Sequence, residues 1–278
     1  ALATINRLPV LLLPSDTFAT RVSSPVLQEL ELPSSGDVTV NDAFKPLSRY
    51  FDRVWRPEQL PAALLGAMRV LTDPAETGAA TVSLPQDVQA EAHDWPESLF
   101  AERTWHIARP LPERSVIARA AEVIRSARTP LIVAGGGVIY SGATDALAAF
   151  ASQTGIPVCE SQAGKGSLLH EHPQSVGAVG STGTTAANAL ASEADVIIGI
   201  GTRYSDFTSA SRTAFNNPDV RFVNINVASL DSVKQGGISV VADAREALEE
   251  LARAVGDYTV GGEYRERTAD LAAEWDDT

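Results

Sequence analysis

Apolar positions in the first ninety residues fall into two kinds of pattern. Residues 9–14 and 79–85 form short apolar runs, typical of strands that are buried on both faces of a parallel sheet. Pro57 begins a stretch in which apolar side chains recur at helical spacing, at Leu60, Leu64, Ala67 and Leu71. The segment 15–50 is rich in Pro, Ser and Gly and is predicted to be mostly loop. We therefore expect one α/β unit that ends near residue 90.

From residue 115 onward, strand and helix patterns alternate regularly. Strands are predicted at 130–134, 156–160, 195–201 and 220–227. Helices are predicted at 143–154 and 183–193, and two more are expected to begin after the capping residues Ser115 and Asp243. Such alternation predicts a doubly wound, Rossmann-like sheet of parallel strands. The predicted fold class is α/β throughout.

A stretch without any hydrophobic repeat separates these two regions. Residues 93–114 contain Pro96, Pro110 and Pro112 among scattered charges, which is typical of a linker. We therefore divide the chain into residues 1–92, a linker at 93–114, a doubly wound domain at 115–256 and a final stretch at 257–278. The final stretch has a helical stripe, formed by Tyr264, Thr268, Leu271 and Trp275.

The two ends of the chain lack the usual helix signals. Residues 1–8 have the pattern of the last turns of a helix, without a capped beginning. The predicted helix at 264–275 stops at acidic residues without a glycine cap. Together these features favour an interior segment of a larger enzyme.

The acidic balance of the chain excludes two classes of partner. The 278 residues contain 22 Lys and Arg against 35 Asp and Glu, which gives a formal net charge of −13. Such a charge argues against nucleic acid and against an anionic membrane, and no apolar stretch is long enough to span a bilayer. Cys159 is the only cysteine, so no intrachain disulfide can form. We therefore expect a soluble, cytoplasmic protein.

Glycine follows the first strand of the predicted doubly wound sheet. Gly135 and Gly136 come directly after the strand at 130–134, where glycines either let amide groups approach a phosphate or form a tight turn. The dinucleotide fingerprint G-x-G-x-x-G is incomplete, because the next glycine after this run is Gly142. We name Gly135 and Gly136 as candidate cofactor-binding residues.

Two further segments suit a ligand at the same edge of the sheet. Gly180, Ser181 and Thr182 precede a predicted helix, where small residues and hydroxyls fit either an anion or an ordinary helix cap. Gly201 and Arg203 follow the strand at 195–201. Arg203 is placed either to contact a phosphate or to pair with the carboxylate three residues later. These five residues complete the candidate cofactor-binding set.

No complete catalytic constellation and no metal site is predicted. His170 and His172 lie close in sequence, but they lack the i, i+4 spacing of a metal pair on a helix. The sequence also lacks the G-x-S-x-G, H-E-x-x-H, Walker and C-x-x-C motifs. We therefore assign no catalytic and no metal-binding residue.

The order of these motifs is similar to that of a known family. The glycine turn, Lys165-Gly166, His172-Pro173, the loop 177–188 and Gly201-Thr202-Arg203 resemble the central domain of thiamine-diphosphate-dependent enzymes such as acetolactate synthase. Residues 1–90, including the run 83–88, are similar to the second half of their pyrimidine-binding domain. The resemblance implies the end of a pyrimidine-binding α/β domain, followed by a Rossmann-like central domain. It also implies that residues 257–278 begin the connection to a domain that binds the cofactor diphosphate.

Longer runs resemble one branch of that family, the trihydroxycyclohexane-dione acylhydrolases of inositol catabolism. These runs lie at 6–14, 16–21, 44–46, 48–53, 56–60, 180–188, 201–212 and 221–229. The resemblance implies a hydrolase that cleaves a C–C bond of a cyclic 1,2-dione, a small-molecule substrate, to give 5-deoxyglucuronate. It also implies a homo-oligomer, because enzymes of this family form the active site between two subunits.

The same resemblance implies thiamine diphosphate and Mg²⁺ as cofactors. The family uses an early glutamate and a Gly-Asp-Gly…Asn motif, and neither can be matched to a residue of this chain. We expect the chain to be inactive alone and to supply scaffold and one pocket wall, through Gly180, Ser181, Thr182 and Arg203. Two alternatives stay open: an acetolactate synthase-type carboligase whose central domain holds FAD, and a non-catalytic nucleotide-binding or scaffold module.

Overall fold

A computed structural model describes residues 1–22 and 25–277. These residues form two compact units, residues 1–108 and 109–278, and each unit has a hydrophobic core of its own. The α/β fold class predicted from the sequence is confirmed, because both units combine helices with a sheet of parallel strands.

The first unit is built around one central strand. Its helices and strands are α1 (Leu2–Asn6), β1 (Val10–Leu12), β2 (Ser15–Asp16), β3 (Tyr50–Arg53), α2 (Leu60–Leu71) and β4 (Ala79–Pro85). The buried strand β4 pairs in parallel with β3 and also with β1 and β2. Helix α2 buries Ala63 and Ala67 in this core, which confirms a helix after Pro57. A 3-10 helix covers Val40–Leu47.

Of two predictions for the first unit, one is confirmed and one is wrong. The described residues of the segment 15–50 are mostly loop, as expected, although they include β2, the start of β3 and a 3-10 helix. The run at 9–14 was expected to be buried on both faces, but Val10 and Leu11 are exposed. The reason is that β1, in the part of the chain that the structure describes, pairs with β4 alone and so has an open edge.

The second unit is a six-stranded parallel sheet flanked by helices. Its elements are α3 (Arg114–Arg125), β5 (Pro130–Ala134), α4 (Gly136–Tyr140), α5 (Thr144–Thr154), β6 (Val158–Glu160), β7 (Ser175–Ala178), α6 (Thr185–Glu193), β8 (Val196–Ile200), α7 (Asp206–Ser209), β9 (Arg221–Asn226), α8 (Ser229–Ser232), β10 (Ile238–Val241), α9 (Ala244–Val255) and α10 (Gly262–Asp276).

The strand order makes this sheet doubly wound. The order is β10-β9-β8-β5-β6-β7, so the chain moves outward from β5 in one direction and then returns to build the other half from β8. The predicted doubly wound sheet is therefore confirmed. Helices α3 and α5 both pack against α9, while α10 packs against α6. Helix α10 joins the same core, since Leu271 is buried and the Tyr264 hydroxyl donates to the Pro130 carbonyl at 3.0 Å.

Local details in the second unit both confirm and correct the sequence predictions. Asp243 caps α9, since its side chain accepts hydrogen bonds from the Arg245 and Glu246 amides. Ser115 does not cap α3, because Glu113 holds the N-cap position and Ser115 lies inside the first turn. Strands β7 and β10 and helix α4 were not predicted. Strand β7 contains Gly177, and helix α4 contains Gly136 and Gly137. Glycine is disfavoured in both strands and helices, which explains why β7 and α4 were not predicted.

Candidate functional site

The ends of β5 and β8 form the switch point of the doubly wound sheet. These strands are neighbours, and the chain continues from β5 to one side of the sheet and from β8 to the other. Open α/β sheets bind ligands in the crevice at this point. Gly135 follows β5 and Gly201 follows β8, so the structure brings these two predicted residues together.

At this switch point the two glycine turns pack directly on each other. The Gly135 amide donates to the Ile200 carbonyl at 2.8 Å, and the Gly137 amide donates to the Gly201 carbonyl at 3.0 Å. A β-carbon on Gly135 would lie 2.3 Å from the Gly201 carbonyl oxygen, and one on Gly136 would lie 3.1 Å from the Ala163 carbonyl oxygen. Both amides are therefore used inside the protein, and close backbone packing accounts for these glycines.

The turn at Gly180 is held by a side chain and by a neighbouring loop. Gly180 has a φ of 105°, a region that favours glycine. Its amide donates to Asn188 Oδ1 at 2.8 Å, and Asn188 Nδ2 donates back to the Gly180 carbonyl at 3.0 Å. The Ser181 amide donates to the Phe207 carbonyl at 2.8 Å. This clamp leaves the side chains of Ser181 and Thr182 exposed at the sheet edge.

Two polar side chains donate hydrogen bonds to the backbone around Arg203. Asn226 Nδ2 donates to the Thr202 carbonyl at 3.0 Å, and Lys234 Nζ donates to the Arg203 carbonyl at 2.9 Å. Next along the chain, the Tyr204 hydroxyl donates to Asn224 Oδ1 at 2.7 Å.

Burial raises the pKa of the Tyr204 phenol, so this donor keeps its proton across the neutral range. The turn that carries the half-buried Arg203 is thus held by hydrogen bonds from Asn226 and Lys234.

A cavity of about 240 Å³ lies beside the carboxyl ends of β6 and β7. Among the predicted residues its lining contains Thr182, and its walls are partly apolar and partly hydroxyl-bearing. The lining residues are Ser161, Gln162, Lys165, Ala178, Val179, Thr182, Phe207 and Thr208. Ser161 and Gln162 were not predicted as site residues, because single polar residues outside a motif carry no spacing signal.

Glu160 anchors the loop that forms one side of this cavity. This glutamate is buried at the end of β6, and its Oε1 accepts hydrogen bonds from the Gly166 amide at 2.9 Å and the Leu168 amide at 3.1 Å. Lys165 Nζ lies 3.6 Å from the other carboxylate oxygen. A carboxylate at the end of an apolar strand was a signal that could have singled out this residue. The adjacent Cys159 is buried, as expected, and burial raises the pKa of its thiol.

Neither metal ligands nor a membrane span is found in the described part of the chain. No group of three or more His, Cys, Asp or Glu side chains comes together there in a way that could hold a metal ion. His172 instead contacts the Ser152 hydroxyl at 3.1 Å and accepts from the Gln174 amide at 3.3 Å. None of the described helices is both long and apolar enough to cross a membrane.

The first unit carries a buried ionic cluster at the carboxyl ends of its strands. Arg53 Nε donates to Asp16 Oδ2 at 2.6 Å, and Arg53 Nη2 lies 3.2 Å from Asp42 Oδ2. Burial by itself raises the pKa of Asp16, but hydrogen bonds from Ser83, Thr39 and Arg53 outweigh it and hold this pKa below its usual value. The cluster joins β2, β3 and the 3-10 helix within the first unit.

Comparison with known proteins identifies the second unit. Residues 117–251 match the family model described as the thiamine pyrophosphate enzyme central domain. The chain is also similar to curated proteins named 3D-(3,5/4)-trihydroxycyclohexane-1,2-dione hydrolase. The relative from Geobacillus thermodenitrificans is 51% identical over 93% of this chain and 40% of its own length.

Two Clostridium relatives with the same name agree with this result. The C. perfringens protein is 49% identical over 90% of this chain and 39% of its own length. The C. botulinum protein is 46% identical over 99% of this chain and 43% of its own length. The chain thus spans about two fifths of the length of these relatives. The doubly wound sheet lies within the residues 117–251 that match, so this part of the chain is a central domain of the thiamine pyrophosphate enzyme family.

Proposed function

We propose that the chain is part of a thiamine-diphosphate-dependent hydrolase that cleaves a C–C bond in a cyclic 1,2-dione. The observation that carries this proposal is the identity of 46–51% with relatives that are named for hydrolysis of such a dione. The identity extends over both units, since it covers 90–99% of the chain. The substrate is accordingly a small polyhydroxylated ring, which water opens at the bond between or beside its carbonyl carbons.

The proposed division of the chain follows the two units. Residues 1–92 are assigned to the carboxyl-terminal part of a pyrimidine-binding domain, 93–114 to a linker, and 115–256 to the central domain. The family match at 117–251 and the boundary between units at residues 108 and 109 support this division. Residues 257–278 are assigned to the start of a connection to a further domain, although α10 already packs on the central core.

The residues of this chain do not by themselves fit the cofactor. Thiamine diphosphate, when bound, supplies an electron sink for cleavage of a bond next to a carbonyl. Its diphosphate needs Mg²⁺ and oxygen ligands, but the sequence contains no Gly-Asp-Gly…Asn stretch, and the described residues contain no acidic metal cluster. We therefore assign Mg²⁺ and the groups that hold it to other parts of a longer protein.

We assign a supporting role to the second unit. Gly135 and Gly201 pack closely at the switch point, and Asn226 and Lys234 donate hydrogen bonds to the carbonyls of Thr202 and Arg203. A rigid turn can hold a cationic side chain at one place beside a substrate. Gly180, Ser181, Thr182 and Arg203 are accordingly proposed as one wall of the pocket. The proposal includes a homo-oligomer in the cytoplasm.

FAD is not supported as a cofactor of this unit. A dinucleotide at the switch point would use free amides of the glycine turns for its diphosphate. The Gly135, Gly137 and Gly180 amides are already bonded to Ile200, Gly201 and Asn188 respectively. The contacts at these turns therefore favour the hydrolase proposal over a flavin-containing carboligase or a nucleotide-binding module.

Titration of the purified chain separates these alternatives. The proposal predicts colourless protein, no heat of binding with FAD or ADP, and no dione hydrolysis when thiamine diphosphate and Mg²⁺ are added. Flavin fluorescence in the purified protein, or tight binding of ADP, would favour one of the alternatives. Measurable turnover by the chain alone would contradict the assignment of the cofactor-binding groups to other parts of a longer protein.

A further inference from the structure

The cavity of about 240 Å³ beside the carboxyl ends of β6 and β7 is lined by polar groups that the fold itself does not use. Gln162 and Thr182 line this cavity, and both residues are exposed. Neither side chain takes part in a hydrogen bond or an ion pair within the part of the chain that the structure describes. An amide and a hydroxyl, each able to donate and to accept hydrogen bonds, are therefore available there to a ligand.

The cationic side chain in the lining is balanced by a buried carboxylate. Lys165 Nζ lies 3.6 Å from Glu160 Oε2, which is longer than a direct hydrogen bond. The Glu160 side chain is 4% exposed, whereas that of Lys165 is 73% exposed. The pair thus carries no net charge, while the ammonium group keeps N–H donors for a ligand. This balance favours a neutral ligand over phosphate or diphosphate.

The remaining walls are mainly apolar, and two segments that carry them are in backbone contact. Phe207 is 61% exposed beside the cavity, which Ala178 and Val179 also line. The Ser181 amide donates to the Phe207 carbonyl at 2.8 Å, and a β-carbon on Gly180 would lie 2.0 Å from the same oxygen. The turn that carries Thr182 therefore packs on the segment that carries Phe207. Apolar walls with a few placed polar groups are the usual composition of a site for a small organic molecule.

Size and charge together select the class of ligand. The volume of about 240 Å³ lies below the range of about 300–1,000 Å³ that is typical of pockets for drug-sized ligands, so a dinucleotide is too large. A single saturated ring with hydroxyl groups has a suitable size and no charge. Its hydroxyls match the donors and acceptors of Gln162, Lys165 and Thr182, and its C–H faces match the aromatic ring of Phe207.

We propose that this cavity is a subsite for the neutral, polyhydroxylated ring of the substrate. Gln162, Lys165 and Thr182 bind ring hydroxyls, and Phe207 packs against a C–H face of the ring. The identity of the ring rests on the proposed hydrolase function, and the subsite adds Gln162, Lys165 and Phe207 to the wall assigned above. These residues bind and orient the ring, and no bond forms or breaks at them.

Binding of a stable cyclitol to the 278-residue chain tests the subsite without catalysis. The probe is myo-inositol, a neutral cyclohexane ring with a hydroxyl on every carbon, and binding is followed by saturation-transfer NMR. We expect a Kd on the order of 1 mM for so small a ligand. Gln162→Leu and Thr182→Val should each weaken binding about five-fold, because each removes one hydrogen bond to the ring.

The matched control is Thr185→Val. Thr185 is an exposed threonine on α6 that does not line the cavity, so the Kd should stay unchanged. Absence of saturable cyclitol binding, or a Kd unchanged in either Gln162→Leu or Thr182→Val, would overturn the proposal. Inorganic pyrophosphate is the second probe, and displacement of the cyclitol by a lower concentration of pyrophosphate would also overturn it, in favour of an anion site.

The binding assay keeps this proposal separate from the proposed hydrolase function. Failure to bind the cyclitol would remove the subsite and leave dione hydrolysis by the longer protein untouched. Cyclitol binding that shows the expected losses in Gln162→Leu and Thr182→Val would support the subsite, whatever rate of hydrolysis is measured.

Discussion

A β-carbon on Gly135 would lie 2.3 Å from the carbonyl oxygen of Gly201. Such a distance is far below van der Waals contact, so the turn after β5 and the turn after β8 can pack as they do only without a side chain at this position. The switch point of the doubly wound sheet is closed by backbone. This backbone closure is the main structural argument against nucleotide binding at the switch point and for the proposed supporting role of the second unit.

The substitution Gly135→Ala is expected to destabilise the second unit. The added methyl group must displace backbone rather than a flexible side chain, so we expect a loss of about 2 kcal/mol or more in the free energy of unfolding. Urea-dependent hydrogen exchange of the β8 peptide over residues 196–200 measures this loss.

A matched control for that substitution is Gly262→Ala. Gly262 begins α10, and nothing lies within 4 Å of a β-carbon built there. Alanine is the better helix former, so the free energy of unfolding should stay equal or rise slightly. If both substitutions had the same small effect, the close packing of Gly135 on Gly201 would be disproved.

Gly199 and Tyr204 are expected to be energetically coupled. A β-carbon on Gly199 would lie 2.0 Å from the Tyr204 hydroxyl oxygen and 2.7 Å from the ring carbon that bears it. Gly199→Ala should therefore be strongly destabilising, and less so when Tyr204→Phe has removed the hydroxyl. A double-mutant cycle from urea unfolding should give a coupling of about 1 kcal/mol. Additive effects of the two substitutions would mean that the tyrosine does not occupy the space above Gly199.

Asp87 is expected to stabilise the first unit only above its low pKa. Its carboxylate accepts hydrogen bonds from the Ala19 and Thr20 amides at 2.8 and 2.9 Å, from the Thr20 hydroxyl at 2.6 Å and from the Val88 amide at 3.0 Å. Burial alone would raise the pKa of Asp87, but these bonds outweigh it and lower the pKa to about 2.

The sign of the pH dependence follows from that lowered pKa. A depressed folded-state pKa adds stability above the unfolded value of 3.8, and this stability is lost as the pH falls towards 2. The difference in unfolding free energy between the native chain and Asp87→Asn should thus be constant from pH 7 to about 5 and shrink below pH 4. Urea unfolding at several pH values, followed through the β4 peptide, measures it. A difference that grew on acidification would contradict the hydrogen-bond network around Asp87.

The sequence predicted the doubly wound fold because its elements carry strong local signals. The strands at 130–134 and 196–200 consist of apolar residues and glycine, and Asp243 is a strong helix cap. Strand β7 could not be predicted, because it contains a glycine. The exposure of β1 could not be predicted either, because it depends on pairing with distant strands, which leaves no local trace in the sequence.

The candidate site was predicted by position rather than by contact. Parallel topology places Gly135, Gly180 and Gly201 at one edge of the sheet, and all three are there. Sequence could not tell that the Gly135 and Gly180 amides are bonded within the protein, because the partners Ile200 and Asn188 are ordinary residues. The role of Gly135, Gly136, Gly180, Ser181, Thr182, Gly201 and Arg203 in cofactor binding stays a prediction.

Arg203 can be tested in a hybrid enzyme. In this hybrid, the aligned stretch of the C. botulinum hydrolase, which is 46% identical, is replaced by residues 1–278. If Arg203 forms part of the pocket wall, Arg203→Ala should lower kcat/KM by about ten-fold or more, since a hydrogen bond to a charged group is lost. Arg221→Ala is the control, because Arg221 donates to the Ser126 hydroxyl, and it should leave both constants unchanged. Unchanged KM and kcat in the Arg203 variant would remove this residue from the wall.

The same hybrid provides the most direct test of the proposed function. The measurement is the initial rate of trihydroxycyclohexane-dione hydrolysis, at saturating substrate and increasing thiamine diphosphate in the presence of Mg²⁺. We expect a saturable dependence on thiamine diphosphate and a maximal rate within about ten-fold of the parent hydrolase, because residues 1–278 supply scaffold that folds in the same way. A folded hybrid that binds thiamine diphosphate but does not hydrolyse the dione would contradict the proposed hydrolase function.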